Sequence, residues 1–183
     1  MARAGDVFEI ARTGERFVFR KRPRDTNGEL LEIDFFINPD GFAPPRHVHA
    51  RVEERIEVVS GTVGYHVGGK EGTLGPGERV VLPVGVPHTF WNKGDGQAHF
   101  IADVRPALNM ETLFETIFGL YRDGKTNKNG VPNLLQNLAL AQEYDGFLPG
   151  PPIAVQRAVL AVLAPIARLL GYRSRYPQYS GPE

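Results

Sequence analysis

Before Pro106, apolar and polar positions alternate in short runs; after it, apolar positions recur every three or four residues. In the first region, runs rich in Val, Ile, Phe and Tyr are separated by Gly, Pro, Asn and Asp. They predict strands over Phe17–Arg20, Leu30–Ile37, Glu54–Val59, Thr62–Val67, Arg79–Leu82, Thr89–Asn92 and His99–Val104. Asn27-Gly28 and Gly68-Gly69 are hairpin-turn signals. Short strands with frequent turns give the texture of an antiparallel β-barrel over residues 1–106. Residues 107–183 read as an α-helical extension. Met110, Leu113, Phe114, Ile117, Phe118 and Tyr121 share one helix face, with Gly124 at the stop. A polar loop over Lys125–Gly130 leads to Pro132 at a second helix start, with Leu135, Leu138 and Ala139 or Ala141 as its apolar stripe. A third helix is predicted over Ile153–Leu170, entered by Pro151-Pro152 and ended by Gly171.

Four residues stand apart chemically. Gly41 is followed at fixed intervals by His47, His49, Glu54 and Gly61, and Gly77 by Pro83, Gly85, His88 and Asn92. Three imidazoles and one carboxylate make a donor set for a divalent first-row metal such as Fe, Mn, Ni or Zn, one per chain. His47 and His49 alternate, so on a strand both face one side. Glu53 and Glu54 compete for the fourth place, and the pattern chooses between them. With Glu54 inward, Ile56 and Val58 also face in while Arg55 and Glu57 reach solvent; the opposite register would bury two charges. Glu53 is then a solvated charge at a strand end. Pro83 and Gly85 fit a turn before His88. His88, Phe90 and Asn92 share a face, which suggests Phe90 as a pocket wall and Asn92 as a polar group beneath the ligands. Tyr65 alternates with Val63 and Val67, making it a core aromatic or a substrate-contacting phenol and leaving His66 on the outer surface. Trp91 points away, into inter-sheet packing or to the surface.

These two motifs resemble those of the cupins, and in particular small single-barrel (monocupin, cupin 2 type) bacterial members. The resemblance spans Gly41–Asn92 without a break in spacing and implies a whole barrel over Val7–Pro106. It implies a jelly-roll-like double-stranded β-helix with one metal on His47, His49, Glu54 and His88. It does not imply a reaction, because one fold hosts unrelated activities. Two classes compete. One is a metal-dependent dioxygenase resembling the quercetinase-like cupins, acting on a small, partly apolar phenolic or enol substrate, with Glu54 as proton acceptor. The other is a non-catalytic small-molecule-binding or sensor cupin. A sugar isomerase or epimerase that needs no metal is a third reading, which leaves the complete ligand set unexplained.

Composition narrows the partners. The 21 basic and 21 acidic residues give no net field to draw nucleic acid. The run Arg20 to Arg24 reads as a solvated loop. With no cysteine, disulfides and thiolate ligands are excluded. Met1–Ile10 lacks a signal-type apolar core, so a soluble cytoplasmic protein is expected. The third helix is shorter than the roughly 20 apolar residues a membrane span needs and contains Arg157, Arg168 and Pro165. Arg157, Ala161, Ala164 and Arg168 form a polar and small-residue stripe. The face of Val155, Val159, Val162, Ile166 and Leu169 is too apolar to leave in water, which predicts packing on the barrel or on a partner subunit in a homodimer.

Overall fold

In the computed structural model, which describes residues 7–10, 15–39, 41, 44–127 and 130–180, the alternating segments become strands. In chain order these are β1 (Val7–Ile10), β2 (Glu15–Lys21), β3 (Leu31–Ile37), β4 (Val48–His49), β5 (Glu53–Ser60) and β6 (Val63–Val67). There follow β7 (Lys70–Leu74), β8 (Arg79–Leu82), β9 (His88–Asn92), β10 (Ala98–Arg105) and β11 (Gly146–Phe147). The helices are α1 (Met110–Arg122), α2 (Leu134–Ala141), α3 (Ile153–Leu169) and α4 (Pro177–Ser180). The readings of Met1–Asp6 as free of a signal-type core, and of Lys128 and Asn129 as part of the polar loop, fall outside the described residues.

One sheet runs in the order β1-β2-β3-β10-β5-β8, a second in the order β7-β6-β9, and β4 pairs with β11 in a third, two-stranded one. All pairings are antiparallel, as expected for the double-stranded β-helix of a cupin. Alternation sets which side each residue takes. Ala98, Phe100, Ala102 and Val104 of β10 are buried, and the residues between them are half-exposed. Ile56, Val58 and Phe100 of the larger sheet meet Val63, Leu74 and Phe90 of the smaller in one core. The β6–β7 hairpin closes over two residues, where Gly68 takes a φ of 60°. On the smaller sheet Trp91 lies across Gly64 and Tyr65 across Gly72, so neither glycine has room for a Cβ.

The barrel does not close by itself. At one end Phe17, Phe19, Leu31 and Ile33 form a second core completed by Met110, Leu113, Phe114 and Phe118 of α1. Phe17 and Phe118 sit edge to face at 4.2 Å between centroids. The basic run is only partly solvated. Arg20 pairs with Glu32 and Asp34 on the sheet surface, but Arg22 is buried and paired with Glu111 and Glu115 of α1. Its guanidinium pins the helix to the barrel, which corrects the expectation of a solvated loop at that residue.

Two helical faces differ from the periodicity. On α2 the buried residues are Gln136, Ala139 and Leu140, while Leu135 and Leu138 are half-exposed. Gln136 is buried because it is satisfied, donating to the Arg173 carbonyl (2.7 Å) and accepting from the Tyr176 hydroxyl (2.7 Å). On α3 the buried residues are Leu160, Ala164 and Ala167, which face α2. Of the two coverings expected for the aliphatic face, the barrel does not supply one: on the single chain the face is exposed, from Val159 at 47% to Leu169 at 87%. No helix among the described residues is long and apolar enough to cross a membrane.

Candidate metal centre

The three histidines come from one side of the barrel and the carboxylate from the other. His47 and His88 exchange backbone hydrogen bonds (3.0 and 2.9 Å), a single antiparallel bridge that sets their side chains next to each other. β4 carries His49, whose carbonyl accepts from the Gly85 N–H (2.7 Å), so the Pro83–Gly85 turn before His88 is tied to the first motif. Glu54 lies on β5 of the facing sheet, paired with Leu82 and Val104. Its inward register matches the alternation argument: Glu54, Ile56 and Val58 are buried, whereas Arg55 is exposed and bonded to Glu53.

One ligand atom from each of His47, His49, Glu54 and His88 lies within 4.8 Å of the other three. His47 Nε2 is 3.1 Å from His49 Nε2, and the Glu54 carboxylate is 3.4 Å from His49 Nε2 and 3.6 Å from His88 Nε2. Donors bound at about 2.0–2.2 Å to one metal stand about 3–3.5 Å apart, so the spacing fits a shared ion. The opposite ring nitrogens explain the orientation. Nδ1 of His47 donates to the Pro45 carbonyl (2.8 Å), that of His49 to Asp145 (2.6 Å) and that of His88 to Val86 (2.9 Å), assigning the Nδ1–H tautomer to all three. Each Nε2 lone pair is thereby turned into the site, the outer-shell pattern of metal-bound histidines. His88 Nε2 is buried with no hydrogen-bond partner in the protein. Three convergent lone pairs and a carboxylate repel one another unless a cation or proton sits among them.

Electrostatics match this use. Burial lowers the His47 pKa to about 4, against the pull of Glu54, so the ring is neutral at pH 7. For His49, burial also works against the charged form, but the Glu54 carboxylate and the Asp145 carbonyl outweigh it and raise its pKa. Burial pushes Glu54 upward, yet the imidazoles of His49 and His88 hold its pKa well below the usual carboxylate range. His47 is the one ligand that is half-exposed, so its side is the solvent approach to the site.

The remaining sequence-predicted residues separate. Tyr65 stands opposite Phe90 in the β6–β9 pairing, two residues from the Val67–His88 pair and on the same, inward face. Phe90 is 9% exposed and packs with Phe35 and Phe100 in the barrel core. Asn92 is not beneath the ligands. Its amide donates to the carbonyls of Ile37 (2.8 Å) and Gly96 (2.7 Å) and its oxygen accepts from Gly94 N (2.8 Å), so it ties the β9–β10 turn to β3. His66 is half-buried rather than a plain surface histidine, and its Nδ1 lacks a partner.

Sequence reasoning missed Asp145. The segment after α2 returns to the barrel and adds β11 to β4, pairing Gly146 with His49 and Phe147 with Val48. This places the Asp145 carbonyl on His49 Nδ1, while one of its carboxylate oxygens accepts from the backbone N–H of both Arg51 (2.6 Å) and Val52 (3.2 Å). Asp145 is 3% exposed, and its other oxygen meets the Arg51 guanidinium at 3.2 Å. The extension therefore holds a metal-ligand candidate in place. A cavity of about 200 Å³ lies on its far side, lined by Arg51, Tyr144, Phe147, Arg157 and Leu160 among others; none of the four ligands borders it.

Known proteins resemble the barrel. Residues 34–103 match the family model described as Cupin domain, a span that includes all four candidate ligands and supports placement in the cupin superfamily. A protein of Hypocrea virens described as a probable oxidoreductase, virH, is 27% identical over 150 residues, covering 74% of this chain and 67% of its own. The polyketide cyclase RemF of Streptomyces resistomycificus is 24% identical, covering 58% of this chain and 78% of its own at a TM-score of 0.46. An RmlC-like cupin of Shewanella frigidimarina is 21% identical, covering 56% of this chain and 85% of its own at a TM-score of 0.47.

Proposed function

We propose that His47, His49, Glu54 and His88 bind one divalent transition metal per chain, Fe, Mn, Ni or Zn. We propose further that the site oxidises a small, partly apolar phenol or enol with dioxygen. The observation that carries the first part is the set of three Nδ1-anchored imidazoles presenting Nε2 to one ionised carboxylate. The likeness to a probable oxidoreductase supports the class of the second. Bound there, the metal would supply a Lewis-acidic centre with positions left open beside four protein ligands. The chain supplies the rest. The core around Phe35, Phe90 and Phe100 makes the barrel interior apolar, and Tyr65 offers a phenol for orienting a substrate on the inward face. Glu54 faces the same space and would accept the proton a phenol or enol gives up once its carboxylate loosens from the metal and from His49 and His88, whose hold keeps it a weak base. The chain has no cysteine, so thiolate chemistry plays no part.

Two measurements test this. Protein purified without added metal should carry about one divalent ion per chain by elemental analysis, and His47→Ala with His49→Ala should abolish it. Glu54→Gln removes a ligand's charge and should weaken binding by more than the roughly 10–100-fold that losing an outer partner of a ligand costs, whereas Glu53→Gln should leave it unchanged. Affinity should fall below neutral pH, by about tenfold per pH unit, because His49 has its pKa raised and must shed a proton to ligate. His47 adds to that competition only near pH 4. Absence of metal together with no uptake on titration would remove the site. Turnover of phenolic, enol and diketone compounds by the Fe, Mn and Ni forms is then compared with and without oxygen. Equal conversion without oxygen would place the protein among isomerases or lyases. Tight ligand binding with no conversion would make it a binding module.

A further inference from the structure

We propose that the outward face of α3 is a dimerisation seam whose occupant is the same helix of a second copy of this chain. Val155, Val159, Val162, Ile166 and Leu169 follow one another at intervals of four, three, four and three residues. That is the a/d spacing of a heptad, with β-branched Val159 and Ile166 at a and Val155, Val162 and Leu169 at d. All five are exposed, between 47% and 87%, although they are the most apolar stripe of the helix. The barrel is not available to cover them, because α3 turns Leu160, Ala164 and Ala167 inward on α2.

The flanks of the stripe fit a second copy. Gln156, Ala158, Leu163, Pro165 and Leu170 occupy the e and g positions, none of them charged, so nothing in the seam selects against an identical helix. Arg157 and Arg168 fall at f and c, on the far side, and Arg157 lies over the Phe147 ring at 5.4 Å. The area of α3 alone falls short of a stable dimer and needs its neighbours. A helix of 17 residues is about 25 Å long and about 10 Å wide, so its outward half offers about 400 Å² per copy. A stable interface needs about 600 Å² per copy at its lower bound. Leu148, hydrogen-bonded to Gln156 at the start of α3, and Leu134, beside the Asn133–Tyr172 contact at its end, are 67% and 73% exposed and extend the surface at both ends. An anionic bilayer is the rival occupant, since Gly146–Pro182 contains four arginines and no acid. Two of those four are engaged within the protein, Arg157 on Phe147 and Arg175 with Glu143, which leaves little free positive charge to hold the face on an anionic bilayer.

Light scattering on the full chain should give twice the 20.2 kDa chain mass at micromolar concentration. Val162→Glu with Ile166→Glu should give the single-chain mass, with Kd raised at least about 100-fold by two unpaired charges in the seam. Both positions are outward-facing, so circular dichroism and metal uptake should be unchanged. Because the chain has no cysteine, Val162→Cys labelled with pyrene reports the contact directly. Excimer emission is expected from it, and none from labelled Val84→Cys on the barrel surface. Wild-type protein of single-chain mass at tens of micromolar would overturn the proposal. So would an undiminished dimer of the double variant, or a monomer that sediments with phosphatidylserine vesicles.

Discussion

The barrel and the helical extension follow opposite rules of burial. In β10 every apolar position that alternation sends inward is covered: Ala98, Phe100, Ala102 and Val104. In α3 the aliphatic residues Val155, Val162 and Leu169 are exposed, and two of the three buried residues are alanines. The difference comes from what each region packs against. The barrel core is filled from two facing sheets, so that Ile56, Leu82, Phe90 and Phe100 pack over the small Ala98 and Ala102. The extension is instead held close by small residues on α2 and α3 and by satisfied polar groups. Gln136 bridges Arg173 and Tyr176, Tyr144 donates to the Ser174 carbonyl at 2.9 Å, and Glu143 pairs with Arg175. A helix layer built this way leaves its greasiest face for something else. The two regions are nevertheless not independent, because α1 completes the barrel core and Asp145 holds His49.

The bluntest way to break this comparison is to remove the extension. A chain ending at Pro106 loses Met110, Phe114 and Phe118 from the core around Phe17 and Phe19, both fully buried, and loses the carbonyl partner of His49. We expect it to aggregate on expression and to take up no stoichiometric metal, since an exposed aromatic cluster of that size is an association site. A soluble, metal-loaded barrel from this truncation would show that the regions are separable after all.

A single residue tests the same coupling more finely. Asp145→Ala strips the acceptor from the N–H groups of Arg51 and Val52, and each buried donor left unpaired costs about 1–3 kcal/mol. The thermal midpoint should fall accordingly. Metal affinity should drop about 10–100-fold, because the carbonyl that aims His49 is no longer anchored. Asp145→Asn keeps an oxygen for both N–H groups and loses only the contact to the Arg51 guanidinium, so it should restore most of both properties. If Asn and Ala behave alike, the ion pair rather than the backbone anchoring matters.

What could be read beforehand divides along the same boundary. The seven strands predicted before Pro106 are all present, and β8 has its predicted limits, because turn residues and period-two alternation are local signals. The inward faces of His49 and Glu54 were legible from alternation, whereas the meeting of both with His47 and His88 was implied by the resemblance to the cupin motifs and not by any local signal. β1, β4, β7 and β11 were not seen. β4 and β11 are two residues long, too short for any period to register. Nothing local marks Asp145 as buried, since its carboxylate's partners, Arg51 and Val52, lie in the distant β4–β5 loop and reach it only through tertiary pairing. Asn92 was misplaced because alternation gives the face of a residue but not its partners. The stripe on α2 failed because Leu135 and Leu138 look like a core face, whereas the polar Gln136 is what the C-terminal segment covers.

The smallest effect sharpens the comparison from inside the extension. Asn133 caps α2, its side chain accepting from Gln136 N at 2.9 Å. Asn133→Ala should cost about 1 kcal/mol of stability, and Asn133→Ser should recover most of it. Like Asp145, Asn133 belongs to the extension and accepts a backbone N–H, but its partner is in its own helix rather than on the barrel. Metal affinity measured by titration should therefore stay at the wild-type value in Asn133→Ala, while it falls in Asp145→Ala. A matching loss in both would mean that the metal ligands sense the stability of the whole extension. A loss confined to Asp145→Ala assigns the coupling to the short β4–β11 pairing and the carbonyl that reaches His49.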